Sequence, residues 1–250
     1  MFSSIVTEQW IPANVDPADG GGIRVVIDSS LSDTHSVSVL KIGGGPDLVT
    51  VTPGRARELS LAEADRVDAG HLAAKIADAG ITLNTPDYLF YLPVVEQAAL
   101  RHESVFGGTR QLTSDDEKAF ARFAREAPED DMDDAFVELD HWLVFGVFVD
   151  DRLVAAASMY LWDRTRLADL GVITLPEYRG RGLGRAAVRA ISARAIAKDY
   201  EPQHRCQLDN SLSVALAESA GFTRFGEWEV IVTDADSDVL SLKPGAATPR

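Results

Sequence analysis

At 250 residues the chain exceeds a typical domain of roughly 100 to 200 residues, and 46% hydrophobic with 25% charged content suits a folded protein that buries a core. A formal charge of -15 repels DNA, RNA and anionic lipid, so neither nucleic acid nor a membrane is an expected partner. A single cysteine, Cys206, excludes an intramolecular disulfide framework and any multi-cysteine metal site, and without a basic leader or an apolar run of ~18 residues the expected location is the cytoplasm.

In chain order, β-branched runs at 22–28, 36–42 and 48–52 predict a small sheet. Pro53 opens a short helix over 55–59. Residues 62–79 carry Val67, Leu72, Ala73, Ile76 and Ala79 at helical spacing, stopped by Gly80. A strand at 88–92 and a helix at 94–103 follow. Gly107-Gly108 marks the expected boundary, giving an amino-terminal α/β domain at 1–108, a second domain at 109–232 and a polar tail at 233–250.

In the second domain Thr113 or Ser114 caps a helix, with Glu117 in capping-box position to Ser114 and Phe120, Phe123 and Ala124 on one face. A helix at 132–139 precedes a hairpin, 143–149 and 153–161, turning at Asp150-Asp151. A strand at 167–175 leads to an amphipathic helix at 181–197. Then come a strand at 205–208, a helix at 211–220 closed by Gly221, and a hairpin or bent strand pair at 222–232.

The stretch from Gly171 to Arg185 carries the chemistry. A strand ends at Pro176, three alternating glycines, Gly180, Gly182 and Gly184, form a loop, and a helix starts at once. Glycines let successive N–H groups face one concavity, and the helix start adds partial positive charge, so an anion such as phosphate is the expected guest. Arg179, Arg181, Arg185, Arg189, Arg194 and Lys198 concentrate positive charge there. The run from Gly182 to Ala187 also fits the G-x-G-x-x-A dinucleotide fingerprint, the mark of an oxidoreductase, although that site wants its glycines after the first strand of a long β-α-β series.

Arg179-Gly180-Arg181-Gly182-Leu183-Gly184 resembles the Q/R-x-x-G-x-G/A signature of the GNAT superfamily of acyl-CoA-dependent N-acetyltransferases. The run from Asp209 through Asn210 to Gly221-Phe222 resembles its second signature. The resemblance covers roughly half the chain and implies an α/β (α+β) GNAT fold: a mixed central sheet with splayed strands flanked by helices, here preceded by the smaller amino-terminal domain. It also implies an acetyl-CoA co-substrate, with no metal. Backbone at Val172, Ile173 and Thr174 would meet the pantetheine amides, and Arg179, Gly180, Arg181, Gly182, Leu183, Gly184 and Arg185 the pyrophosphate. Asn210 would make a further cofactor contact.

The implied reaction is direct attack of a small-molecule or peptide amine on the thioester. It needs a base, an oxyanion donor near Thr174 and an acid for the leaving thiolate. The family's usual Tyr is Ala217 here, so Ser213 is the nearest replacement, beside a solvent proton. Asp169, Glu138, Asp140 and His141 are the base candidates, each with an ordinary structural reading as well. The acidic run at 129–134 suits a cationic acceptor or a solvated loop and helix start. A non-catalytic acyl-CoA sensor remains the alternative function. For the amino-terminal half, completion of the acceptor pocket, homodimerisation and a degenerate repeat of the fold all stay open.

Overall fold

The computed structural model describes residues 1–16, 21–162 and 165–232; the expected tail at 233–250 lies outside them. In chain order the elements are α1 (Ser4–Trp10), β1 (Ile23–Ile27), β2 (Val37–Ile42), β3 (Asp47–Val51), α2 (Pro53–Glu58), β4 (Arg66–Val67), α3 (Ala69–Asp78), β5 (Asp87–Tyr91) and α4 (Val94–Leu100). The chain continues with β6 (Thr109–Gln111), α5 (Glu117–Glu126), α6 (Glu129–Ala135), β7 (Leu143–Val149), β8 (Arg152–Leu161) and β9 (Leu167–Thr174). It closes with α7 (Leu183–Ile196), β10 (Glu201–Gln207), α8 (Ser211–Ser219) and β11 (Thr223–Val230).

Two compact units result, Met1–Ile11 with Leu89–Phe225, and Pro12–Tyr88 with the described residues from Gly226 onward. Residues 1–11 and 89–108, assigned by sequence to the amino-terminal domain, therefore pack with the second one. The divisions fall at Tyr88 and Phe225 rather than at Gly107-Gly108.

In the smaller unit β1 runs parallel to β3 and antiparallel to β4, and β2 pairs antiparallel with β3. Gly226–Val230 of β11 pairs with Ile42–Ser38 of β2. Val25, Val37, Val49 and Val51 are fully buried with Leu72 and Ile76 of α3 beneath them, each side chain contributing about 1.5–3 kcal/mol. The helix expected at 62–79 begins only at Ala69. Asp68 accepts from the N–H groups of Gly70 and His71 as its cap, and residues 66–67 are drawn into the ladder with β1.

In the larger unit the strand order is β5-β10-β9-β8-β7-β6. The hairpin β7–β8 turns at Asp150-Asp151 as expected, both in the left-handed region. Phe120 and Phe123 of α5 pack on Val144, Ala156 and Ile173. Thr113, rather than Ser114, forms the capping box, and its partner is Asp116. The helix expected at 132–139 lies earlier, Pro128 preceding its first residue and Phe136 ending it in the left-handed region. Residues 222–232 contain one strand, not a hairpin: Gly226 there passes so close to the Lys41 carbonyl that a Cβ would lie 2.5 Å from it. The amino-terminal helix α1 is capped by Ser3 and buries Val6.

Candidate active site

The site is organised by a gap between two strands. β9 and β10 pair in parallel only at Leu167 with Glu201, Ala168 with Pro202 and Asp169 with Gln203. Both strands continue, yet β9 beyond Asp169 pairs only with β8, out to Thr174 opposite Ala155. Leu175 donates to the Val154 carbonyl at 3.0 Å, and alternation along the ladder commits the backbone of Ile173 to β8 as well. The same alternation turns the N–H and C=O groups of Val172 and Thr174 toward the gap. Arg179 Nε occupies the Thr174 carbonyl at 3.0 Å. Of the three residues expected to meet the pantetheine amides, Val172 and Thr174 face the gap. Ile173 does not, and its side chain is buried against α5.

At the end of β9, Pro176 opens one 3-10 turn and the glycine loop follows. Gly180 and Gly182 have φ of +72° and +76°. Gly182 is the N-cap of α7 and offers no side chain to its first N–H groups, which are left for a ligand. A Cβ at either glycine would meet nothing within 4 Å, so backbone conformation rather than packing selects them. Gly184 differs: a Cβ there would lie 2.8 Å from Thr174 Oγ1, and its absence lets α7 lie against β9. Leu183 is buried.

The arginines of this region do different things. Arg179 pairs with Asp131 of α6. Arg181 lies over the Tyr178 ring, 5.1 Å from its centroid. Arg185 lines a cavity of about 240 Å³ with Gly182, Leu100 and Phe106. Arg189 is held by Glu103 and donates to the Ala220 carbonyl at 2.6 Å, closing α8.

Asp169 stands at the last rung before the gap and is 5% exposed. It accepts from Tyr160 Oη at 2.7 Å, Gln203 Nε2 at 3.2 Å and Arg205 Nε at 2.9 Å. Burial pushes its carboxyl up, but Arg205 and these hydrogen bonds hold it below the usual carboxylate range. Asp169 is thus an occupied anion, poorly suited to the base role considered for it. Gln203 also accepts from Tyr91 Oη, which receives Trp10 Nε1 at 2.6 Å, so α1 is tied to the same network.

On the same face of the sheet, Ser158 of β8 lies directly across from Gly171. A Cβ on Gly171 would fall 1.8 Å from the Ala135 carbonyl, so glycine there lets the end of α6 sit on β9. Ser158 Oγ is 2.8 Å from His141 Nδ1 and accepts from the Glu138 N–H at 3.3 Å. His141 Nε2 is 3.5 Å from Glu138 Oε2. Burial lowers the His141 pKa against the opposing pull of Glu138 and Asp140, so the ring is neutral at pH 7. The Phe136 ring lies 4.9 Å from His141 and 5.6 Å from Tyr160.

Gln203 of β10 bonds Asp169, and strand alternation turns the next residue, His204, with the Ser213 it meets, to the opposite face. Asn210 accepts from the Ser213 N–H at 3.0 Å, capping α8, so its side-chain oxygen is already engaged within the helix. Ser213 Oγ is 2.9 Å from His204 Nε2. His204 is 4% exposed, and burial lowers its pKa to about 4, leaving a neutral ring. Ala217 is buried. No group of three or more metal-ligating side chains and no helix able to cross a membrane occurs among the described residues.

The model of the acetyltransferase (GNAT) family matches residues 110–222. No curated protein matches the chain in sequence. Similar solved structures include a protein assigned to the GNAT acetyltransferases from Novosphingobium aromaticivorans, at 21% identity over 73% of this chain and 82% of that one, TM-score 0.45. Another is an acetyltransferase from the GNAT family from Colwellia psychrerythraea, at 16% identity over 72% and 70%, TM-score 0.46. The ribosomal-protein-S18-alanine N-acetyltransferase from Escherichia coli is 18% identical over 49% of this chain and 90% of that one, TM-score 0.38.

Proposed function

Residues 110–222 form a domain of the acetyltransferase (GNAT) family, and from that premise we propose that the chain transfers an acetyl group from acetyl-CoA to a primary amine of a small molecule or peptide. The observation that carries this reading is the ladder that stops at Asp169 and Gln203 while both strands run on. It leaves an open edge at Val172 and Thr174 beside an uncapped helix start at Gly182.

These groups suit the co-substrate in order along its length. The backbone of Val172 pairs with the pantetheine amides, and the N–H groups from Gly180 to Gly184 take the pyrophosphate, with Arg181 and Arg185 adding positive charge. Arg179 joins them once it exchanges Asp131 for phosphate. The Thr174 N–H, facing the gap, donates to the thioester oxygen as negative charge develops there.

The amine lone pair forms the new C–N bond as the C–S bond breaks. The thiolate leaves with the bonding electrons and takes up a proton. In sum, an ammonium and acetyl-CoA give an acetamide, CoA thiol and one released proton. Ser213 hydrogen-bonds the leaving sulfur, while the proton itself comes from solvent, since a thiol near pKa 8.5 is a far stronger acid than a hydroxyl. The overall charge of -15 favours a cationic acceptor.

A thiol-release assay over a panel of amines tests the reading, and Ser213→Ala should lower kcat by less than about tenfold, because a hydrogen bond and not the proton is lost. Absence of thiol release with every amine, despite acetyl-CoA binding, would favour a non-catalytic sensor. Binding of NAD or NADP in place of acetyl-CoA would return the chain to the dinucleotide reading.

A further inference from the structure

The cluster around His141 has the makings of an amine site. His141 Nε2 and Glu138 Oε2 stand 3.5 Å apart, and with the ring proton on Nδ1 they are two acceptors close enough to share one ammonium at about 2.8 Å from each. Behind the ring, Ser158, 1% exposed, receives the Glu138 N–H and lies 2.8 Å from His141 Nδ1. Donation from Nδ1–H to that oxygen leaves the Nε2 lone pair on the side of Glu138.

The wall beside these acceptors is apolar. Phe136 is 51% exposed and holds φ +47°, a strained conformation for a bulky side chain, at the point where α6 sits on Gly171. Its ring meets His141 and Tyr160 edge-on. Gly171 immediately precedes Val172, the first open residue of the gap, so this cluster borders the place where a thioester would lie.

We propose that Phe136, Glu138 and His141 form the acceptor site, binding a primary amine carried on an apolar or aromatic stem, with Glu138 and His141 Nε2 sharing the ammonium and Phe136 covering the stem. The assignment of this site to acyl transfer rests on the acetyltransferase reading above. His141 takes one proton from the ammonium, giving imidazolium and a neutral amine whose lone pair attacks the thioester. The charged and titratable groups facing His141 are Glu138 and Asp140 from its own segment and Tyr160 from β8, whose hydroxyl is spent on Asp169.

The test uses 2-phenylethylamine as probe, with 2-phenylethanol as its uncharged counterpart. Imidazole NMR signals of the full chain, which has 5 histidines, are assigned with His141→Gln. The amine should shift the His141 signals, the alcohol should not, and Glu138→Gln should weaken the amine on the order of tenfold. No shift, an equal shift with the alcohol, or indifference to Glu138→Gln overturns the site, and none of these readouts requires acetyl-CoA. With acetyl-CoA, His141→Gln should keep its calorimetric affinity for the co-substrate while kcat/KM for 2-phenylethylamine falls on the order of 100-fold. An unchanged kcat/KM overturns the proton-transfer role. Loss of acetyl-CoA binding by the unaltered protein would instead defeat the acetyltransferase reading and leave the NMR titration to decide the amine site.

Discussion

Gln203 and Asp169 face each other across the last rung of the β9–β10 ladder, and the Gln203 side-chain amide donates to the Asp169 carboxylate at 3.2 Å. Backbone pairing and side-chain bonding therefore end together where the gap begins. The vertex is fastened on its other side by Arg205, whose Nη2 lies 2.5 Å from Asp169.

That fastening predicts a structural and not a catalytic phenotype for Asp169. Replacing it with Ala removes the carboxylate that Arg205 Nε and Nη2 both bond and the acceptor of the Tyr160 hydroxyl and the Gln203 amide. Stability should fall by about 2–3 kcal/mol, at the low end for a broken buried pair because the Arg205 side chain is 24% exposed. Urea unfolding reads the change, and a variant as stable as the parent would contradict the role.

Gly171→Ala places a methyl against backbone that cannot yield. The Ala135 carbonyl would be 1.8 Å away, so the end of α6 must lift from β9, at about 2–3 kcal/mol. Phe136 moves with it, so KM for 2-phenylethylamine should rise while acetyl-CoA affinity changes little. Unchanged stability and kinetics would show that α6 does not rest on β9.

His204 predicts a defined acid sensitivity. Its folded pKa of about 4 lies below the unfolded value near 6.5, so between these the unfolded chain carries a proton that the folded chain refuses. The histidine costs nothing above pH 6.5. As pH falls from 6.5 to 4 it removes stability, up to about 3 kcal/mol at about 1.4 kcal/mol per pH unit. Unfolding free energies at pH 7 and pH 4.5 should differ less in His204→Gln than in the parent, and equal slopes would contradict the burial of a neutral ring.

Much of the glycine loop was legible because its logic is local. Pro176, the alternating glycines and the arginines of α7 state a strand end, a loop and a helix start within one short stretch. The gap was not, because it depends on how two strands distant in sequence pair, and no local pattern reports where a ladder stops. The same holds for the roles of Asp169 and His204, whose partners Arg205, Gln203 and Ser213 are assembled by β10 and α8. Two helix limits were misread for nameable reasons. Asp68 competes as a cap inside an apolar-periodic run, and the carboxylates at 129–134 resemble a solvated loop although they favour a helix start.

The most direct measurement is calorimetric titration of acetyl-CoA into the parent protein and into Gly182→Asp. A Cβ at Gly182 meets nothing within 4 Å, and although the φ of +76° strains any side chain, Asp is among the residues that adopt it most readily. The substitution sets a carboxylate among the N–H groups proposed to take the pyrophosphate. Micromolar binding to the parent and affinity weaker by on the order of 100-fold in the variant are expected. Equal affinity in the two proteins, or no binding to the parent, would contradict that proposal.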